Sequence, residues 1–245
     1  SVRERTPFPR AVLAALPNLK LLITSGLYNA SIDGPAAREH GIQVAGSRMT
    51  GNGTAELTWG LILALARKIP QEDANVRSNG WQSNIGLDLS GKTLGLVGLG
   101  KLGAQVAKVG LAFGMRVVAW SANLTAARCA EVSVHKAASL EALMKESDVV
   151  SVHVVLSDRS RGLIGRRELG WMKRTAYIVN TSRGPIIDEN ALVEALAENR
   201  IAGAGLDVFD VEPLPVGHTL RNLPNTVLTP HVGYVVESAY KLAFR

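Results

Sequence analysis

The spacing of apolar and polar positions changes character along the chain. Near the start, a proline-opened stretch from Pro9 to Leu16 carries helical spacing, and Leu19 to Thr24 is a β-rich apolar run. Residues 35–40 and then 42–45 repeat that helix–strand step. Two steps are too few to close a sheet with both faces covered, so further N-terminal material is expected to belong to this part of the fold. Thr54 to Lys68 is apolar nearly all round, the pattern of a helix buried in a core or at a subunit interface.

From residue 91 the alternation becomes regular. Continuous apolar runs, expected as buried strands, stand at Thr93–Val97, Met115–Trp120, Val149–Leu156, Tyr177–Asn180, Ala204–Phe209 and Val227–Thr229. Leu102, Val106, Val109 and Phe113 recur between them at helical spacing, as do Leu140, Leu143 and Met144, and Glu189–Asn199 fits another helix. Repeated βα units of this length predict an α/β fold with a doubly wound parallel sheet.

Composition narrows the class. Hydrophobic residues make up 47% and charged residues 20% of the 245, which excludes a disordered tail or a collagen-like fibre. The single Cys129 has no partner for an internal disulfide, so a reducing, cytoplasmic setting is expected. No apolar run approaches the ~18–20 residues of a membrane span. The longest, Leu57–Ala66, carries Thr58 and Gly60, and no membrane association is expected. The formal net charge of +6 favours anionic partners. The cations are scattered, however, with no run beyond pairs such as Arg166-Arg167, so small anions are expected rather than nucleic acid. No metal site is expected.

The first chemical motif is Gly98-Leu99-Gly100-Lys101-Leu102-Gly103, between a predicted strand and a predicted helix. Gly98 permits the tight turn, Gly100 lets a pyrophosphate approach the backbone, and Gly103 lets helix and strand pack closely. The next strand ends in Trp120-Ser121-Ala122-Asn123, without the acid that holds an NAD ribose. Ser121 and Asn123 can hydrogen-bond either a ribose or its 2′-phosphate, so the choice between NAD and NADP stays open here.

Three more motifs leave predicted strand ends: Asn180-Thr181-Ser182-Arg183-Gly184, Gly205 to Pro213 with Asp207 and Glu212, and Thr229-Pro230-His231-Val232-Gly233. Their chemistry is complementary. A guanidinium grips a carboxylate and polarises a neighbouring carbonyl; imidazole exchanges a proton with an alcohol oxygen; a carboxylate beside imidazole orients it.

With these motifs in order, the chain resembles the D-isomer-specific 2-hydroxyacid dehydrogenases, which include D-3-phosphoglycerate dehydrogenase and hydroxypyruvate/glyoxylate reductases. The matching stretches are Gly91 to Gly100, Val179 to Gly184, Leu206-Asp207-Val208-Phe209 with Glu212-Pro213, and Thr229-Pro230-His231. The resemblance implies a Rossmann-like cofactor domain over residues 50–230 and an incomplete flavodoxin-like substrate domain over residues 1–49 and 231–245. It implies hydride transfer between NAD or NADP and a small 2-keto or D-2-hydroxy acid, in a homodimer joined through the long helix. Arg183 would bind the substrate carboxylate, His231 would be the acid/base and Glu212 its partner. Asp207 would contact the nicotinamide amide, Lys101 and Leu102 would lie under the pyrophosphate, and Thr181, Ser182 and the turn through Gly233 would line the nicotinamide side. His153 and Leu156 fall in a segment passing near the cofactor. His40, His135 and His218 match no catalytic motif.

Two departures bear on the substrate. The loop Gly26-Leu27-Tyr28-Asn29-Ala30-Ser31-Ile32-Asp33 places Leu27 and Tyr28 where relatives have small residues, beside the substrate. His231 is followed by Val232-Gly233-Tyr234 rather than the family's frequent Ile-Gly or Ile-Ala-Gly. Formate-type dehydrogenases share the fold but carry glutamine where Glu212 stands. The alternative from another class is an NAD(H)-gated, corepressor-like binding protein of the same fold.

Overall fold

Asp33 and Pro35 open one of the first helices: the Asp33 carboxylate accepts from the Ala36 amide at 2.9 Å, satisfying an otherwise unpaired donor. The computed structural model describes residues 6–26, 29, 31–47 and 52–243. The chain divides into two compact units, Ser1–Thr50 with Tyr234–Arg245, and Gly51–Gly233. The larger unit runs to Gly233, three residues beyond the boundary expected at 230, because the turn after Thr229 is tied to Asp207 inside that unit.

The smaller unit contains α1 (Arg10–Ala14), β1 (Leu21–Ser25), α2 (Gly34–Glu39) and β2 (Gln43–Ser47). β1 and β2 pair in parallel, with Ile23 opposite Ala45. A small core of Leu13, Leu22, Ala36, Ala37 and Ile42 sits under them. Leu21 and Ile23 on β1 remain exposed while Leu22 between them is buried, the alternation of a strand with one covered face; Val12 on α1 and Val44 on β2 are exposed as well.

The larger unit begins with α3 (Asn52–Ala66) and α4 (Ile69–Arg77), followed by β3 (Thr93–Val97), α5 (Lys101–Ala112), β4 (Arg116–Trp120), α6 (Ala126–Glu131) and β5 (His135–Lys136). Then come α7 (Leu140–Glu146), β6 (Val149–Val152), α8 (Arg166–Trp171), β7 (Tyr177–Asn180), α9 (Glu189–Ala197), β8 (Gly203–Leu206) and β9 (Thr226–Leu228). The chain continues into α10 (Glu237–Ala243), which belongs to the smaller unit. The seven strands are parallel, in the order β5-β4-β3-β6-β7-β8-β9, which reverses direction between β3 and β6.

Strand periodicity divides the core into two layers. Leu94, Leu96, Val117, Ala119, Val149, Tyr177 and Val179 face one layer, with α3 and α5. Val97, Val118, Val150, Val152 and Ile178 face the other, with α7 and α9. Both faces of the central strands are thus dry, which is why their sequences read as unbroken apolar runs.

Three expectations need correction. Ala204–Phe209 is strand only to Leu206, and Asp207 begins the turn beyond it. Val149–Leu156 is strand only to Val152, and the His153 amide makes the last bond across to Val97, at 2.8 Å. Beyond it β3 has turned away at Gly98 and β7 has ended at Asn180, so the later residues have no ladder to join. On α5, Val109 and Phe113 stay part-exposed; the helix buries Gly103, Ala104, Val106, Ala107 and Gly110 instead. Small residues let the helix lie close to the sheet, and Phe113 packs its ring against Trp59 at 5.1 Å.

Among the described residues, no helix is long and apolar enough to cross a membrane. α3 buries Ala55, Thr58, Trp59, Leu61, Ile62, Leu65 and Ala66 within its own chain.

Candidate active site

The glycine loop joins β3 to α5 at the point where strand order reverses, the position where open α/β sheets bind ligands. Gly98 has φ of 108°, the left-handed region, and a Cβ there would meet the His153 backbone at 2.7 Å. A Cβ on Gly103 would lie 2.2 Å from the Gly98 carbonyl oxygen. At Gly100 a Cβ would meet nothing within 4 Å, so the loop is closed against protein at Gly98 and Gly103 and open at Gly100. That is the shape a pyrophosphate cradle requires, and the residues fit a dinucleotide. Lys101, exposed, and Leu102, half-buried, start α5 directly behind the opening.

Ser121, half-buried, and Asn123, exposed, lie in the turn after β4, which the Leu124 amide closes by donating to the Ser121 carbonyl at 3.1 Å. Leu156 packs partly against the core.

His153 follows β6 beneath the loop, with its Nε2 2.9 Å from the Ser151 hydroxyl. Burial pushes its imidazole down to about 4 from 6.5. The folded protein therefore holds this ring neutral while the unfolded chain protonates near 6.5. Stability is full above that pH and falls as pH drops from 6.5 towards 4, by at most about 3 kcal/mol. Chemical denaturation of wild type and His153→Gln between pH 7.5 and 4.5 should show a shallower loss in the variant; parallel curves would refute the buried-neutral assignment.

Arg183, Glu212 and His231 follow β7, β8 and β9, on the same edge of the sheet as the glycine loop. Asn180, 1% exposed, shapes the first of these turns. Its Oδ1 accepts from the Ser182 amide at 3.0 Å and its Nδ2 donates to the Arg183 carbonyl at 2.9 Å. Ser182 Oγ donates to the Val154 carbonyl at 2.5 Å, tying this loop to the one after β6. Arg183 Nη1 donates to the Ser182 carbonyl at 2.7 Å.

Glu212 Oε2 lies 2.7 Å from His231 Nδ1, while its Oε1 accepts from the Phe209 amide at 3.1 Å. An ionised carboxylate only accepts, so Nδ1 carries the proton and Nε2 is left as the exchanging atom. His231 has φ of 55°, a conformation that costs a non-glycine residue about 1–3 kcal/mol unless its surroundings impose it. Asp207 imposes it. This carboxylate, 1% exposed, accepts from Thr229 Oγ1 at 2.6 Å, the Val232 amide at 2.8 Å and the Gly233 amide at 2.9 Å.

A line of hydroxyls connects this turn to the Arg183 loop. Thr54 Oγ1 donates to the Gly233 carbonyl at 3.0 Å and Thr58 Oγ1 to the Thr54 carbonyl at 2.8 Å. The Thr58 hydroxyl proton is thereby used, so in its 2.8 Å contact with Thr181 Oγ1 the Thr181 hydroxyl donates. Thr181 keeps its lone pairs for an incoming donor. The roles of Thr54 and Thr58 were invisible in the sequence, since their contacts join residues 179 and 123 positions apart, whereas the Asn180 side chain bonds within its own motif.

Leu27 and Tyr28 lie outside the described residues. Next to them, buried Asn29 donates from Nδ2 to Thr24 Oγ1 at 2.8 Å and accepts from the Ser31 amide at 2.9 Å. Among the described residues, no group of three or more His, Cys, Asp or Glu side chains is arranged to hold a metal ion.

Residues 59–233 match the family model for the NAD binding domain of D-isomer specific 2-hydroxyacid dehydrogenases. A glyoxylate reductase of Aeropyrum pernix is 42% identical over 233 residues, covering 90% of this chain and 68% of that protein. A D-3-phosphoglycerate dehydrogenase of Methanocaldococcus jannaschii is 40% identical over 99% of this chain, which spans only 47% of that protein's length. The crystal structure of a phosphoglycerate oxidoreductase from Vibrio cholerae superposes with a TM-score of 0.94 at 36% identity, covering 99% of this chain and 78% of that one.

Proposed function

The chain belongs to the D-isomer specific 2-hydroxyacid dehydrogenases, and on that premise we propose that Arg183, Glu212 and His231 reduce the carbonyl of a small 2-keto acid, using NAD(H) or NADP(H). The larger unit is the cofactor domain on this reading, and the smaller unit carries the substrate loop. A bound nicotinamide supplies or accepts the hydride at its C4. Arg183 grips the substrate carboxylate and draws electron density from the adjacent carbonyl. As negative charge develops on that oxygen, His231 Nε2 delivers a proton to it. Glu212 keeps the ring in the needed tautomer and stabilises the imidazolium before transfer; in the oxidative direction the same groups take the proton back. Asp207 serves by holding the His231 turn, and Thr181 offers its lone pairs to the cofactor side.

The Nδ1–carboxylate bond at 2.7 Å carries this reading. A protein that only senses nucleotide has no use for an oriented, carboxylate-backed imidazole beside a dinucleotide loop, and the corepressor alternative is not favoured. Full-length protein is expected to oxidise NADH or NADPH with glyoxylate, hydroxypyruvate or a bulkier 2-keto acid. Cofactor binding without turnover on any of them would return the gated binding protein to first place. Arg183→Ala should lower kcat/KM for the keto acid by roughly 100-fold, the loss of a charge-assisted, bidentate bond. Unchanged kcat/KM in steady-state assays would remove Arg183 from the site.

We further place the protein in the cytoplasm as a homodimer. Buried, unpaired Cys129 suits a reducing compartment. Trp81 and Ile85, 77% and 96% exposed on the larger unit, are apolar surface that a second copy would cover. Sedimentation equilibrium at the monomer mass would overturn the dimer.

A further inference from the structure

We propose that the protein selects NADPH over NADH, and that Arg128 recognises the 2′-phosphate of the adenosine ribose. The inference rests on the dinucleotide reading above and adds the choice of cofactor. Val97 and Trp120 are partners across β3 and β4, and the Gly98 amide donates to the Trp120 carbonyl at 2.8 Å. The residues after Trp120 therefore lie beside the glycine turn. In a sheet of this strand order that edge receives the adenosine ribose, where an acid would bind the 2′-hydroxyl and repel a phosphate. The turn offers Ser121, Ala122 and Asn123: hydroxyl and amide, with no charge against a phosphate.

Arg128 turns a permissive edge into a selective one. The Thr125 hydroxyl accepts from the Arg128 amide at 3.2 Å, fixing the first turn of α6. From there the side chain reaches back to the glycine loop, where Nε donates to the Leu99 carbonyl at 3.1 Å. A residue 29 positions beyond the loop thus sets a permanent cation against it, on the flank shared with Ser121 and Asn123. Because the Leu99 carbonyl holds Nε, the guanidinium plane is oriented before any ligand arrives, and little ordering entropy remains to be lost.

Glu131 is the opposing charge. Its Oε2 accepts from Arg128 Nη1 at 2.7 Å, with side chains 38% and 62% exposed. Such a surface pair is worth little, and a guanidinium has five N–H donors to share, so Glu131 tempers the attraction for a phosphate without cancelling it. Removing Glu131 should therefore widen the preference.

Calorimetric titration of the full-length protein with NADP⁺ and NAD⁺ tests this without any turnover. NADP⁺ should bind wild type about tenfold or more tightly, as a charge-assisted bond to phosphate implies. Arg128→Ala should lose most of that margin through weaker NADP⁺ binding, Arg128→Lys should retain part of it, and Glu131→Gln should enlarge it. The kcat/KM ratio for NADPH over NADH should fall in Arg128→Ala by the same factor. Equal wild-type affinities, or a loss in Arg128→Ala shared equally by both nucleotides, would overturn the inference and leave the dinucleotide reading standing. A preference for NADP⁺ that survives Arg128→Ala would overturn the assignment to this residue. Failure to bind either nucleotide would remove both the dinucleotide reading and this one.

Discussion

His231→Asn should lower kcat for 2-keto acid reduction by roughly 10²- to 10⁴-fold, the range general acid–base catalysis contributes, with little change in cofactor affinity. The asparagine amide can still donate towards Glu212 Oε2, which His231 Nδ1 now meets at 2.7 Å, so the loop keeps its partner. What disappears is the ring nitrogen that hands a proton to the carbonyl oxygen and takes it back. Single-turnover rates would separate this from slow product release. A variant retaining more than about a tenth of the wild-type rate would show that the proton comes from elsewhere.

Asp207→Ala should be damaging in a different way. Its carboxylate accepts from the Thr229 hydroxyl and the Val232 and Gly233 amides, and it is 1% exposed. Alanine strands three donors in a site that water reaches poorly, each costing ~1–3 kcal/mol, against which the relief of no longer burying a charge must be set. A net loss of about 3 kcal/mol lowers Tm by roughly 6–12 °C in a chain of this size. It also releases the left-handed turn at His231, φ 55°, which those bonds hold together with the Glu212 contact to the ring and the His231 amide's 3.1 Å bond to the Thr229 carbonyl. Melting temperature and kcat should fall together, whereas in His231→Asn only kcat falls. A Tm within about 1 °C of wild type in Asp207→Ala would refute the anchoring role.

How much of this was legible beforehand depends on what each residue's neighbours were. Thr93–Val97 and Tyr177–Asn180 were read to the residue, because strands buried on both faces show as uninterrupted apolar runs. α4 buries no residue, and β5 is two exposed residues, so neither leaves a hydrophobic signature. The glycine loop was legible because turn, approach and packing each demand glycine at a set spacing. The partnership of Glu212 with His231 was implied by family likeness alone; nothing in the spacing of two residues 19 apart requires a bond.

The sequence by itself determined the class of fold, the glycine loop, the strand ends from which Arg183, Glu212 and His231 emerge, and the family. Each follows from periodicity or from a short motif whose chemistry is local. Only the tertiary structure decided that Asp207 holds the histidine turn, that Thr54 and Thr58 link that turn to the Arg183 loop, and that Arg128 lies against Leu99. Those are hydrogen bonds between segments far apart in the chain, whose geometry is set by how helices seat on the sheet. Local sequence does not encode that seating; the sum of the packing does.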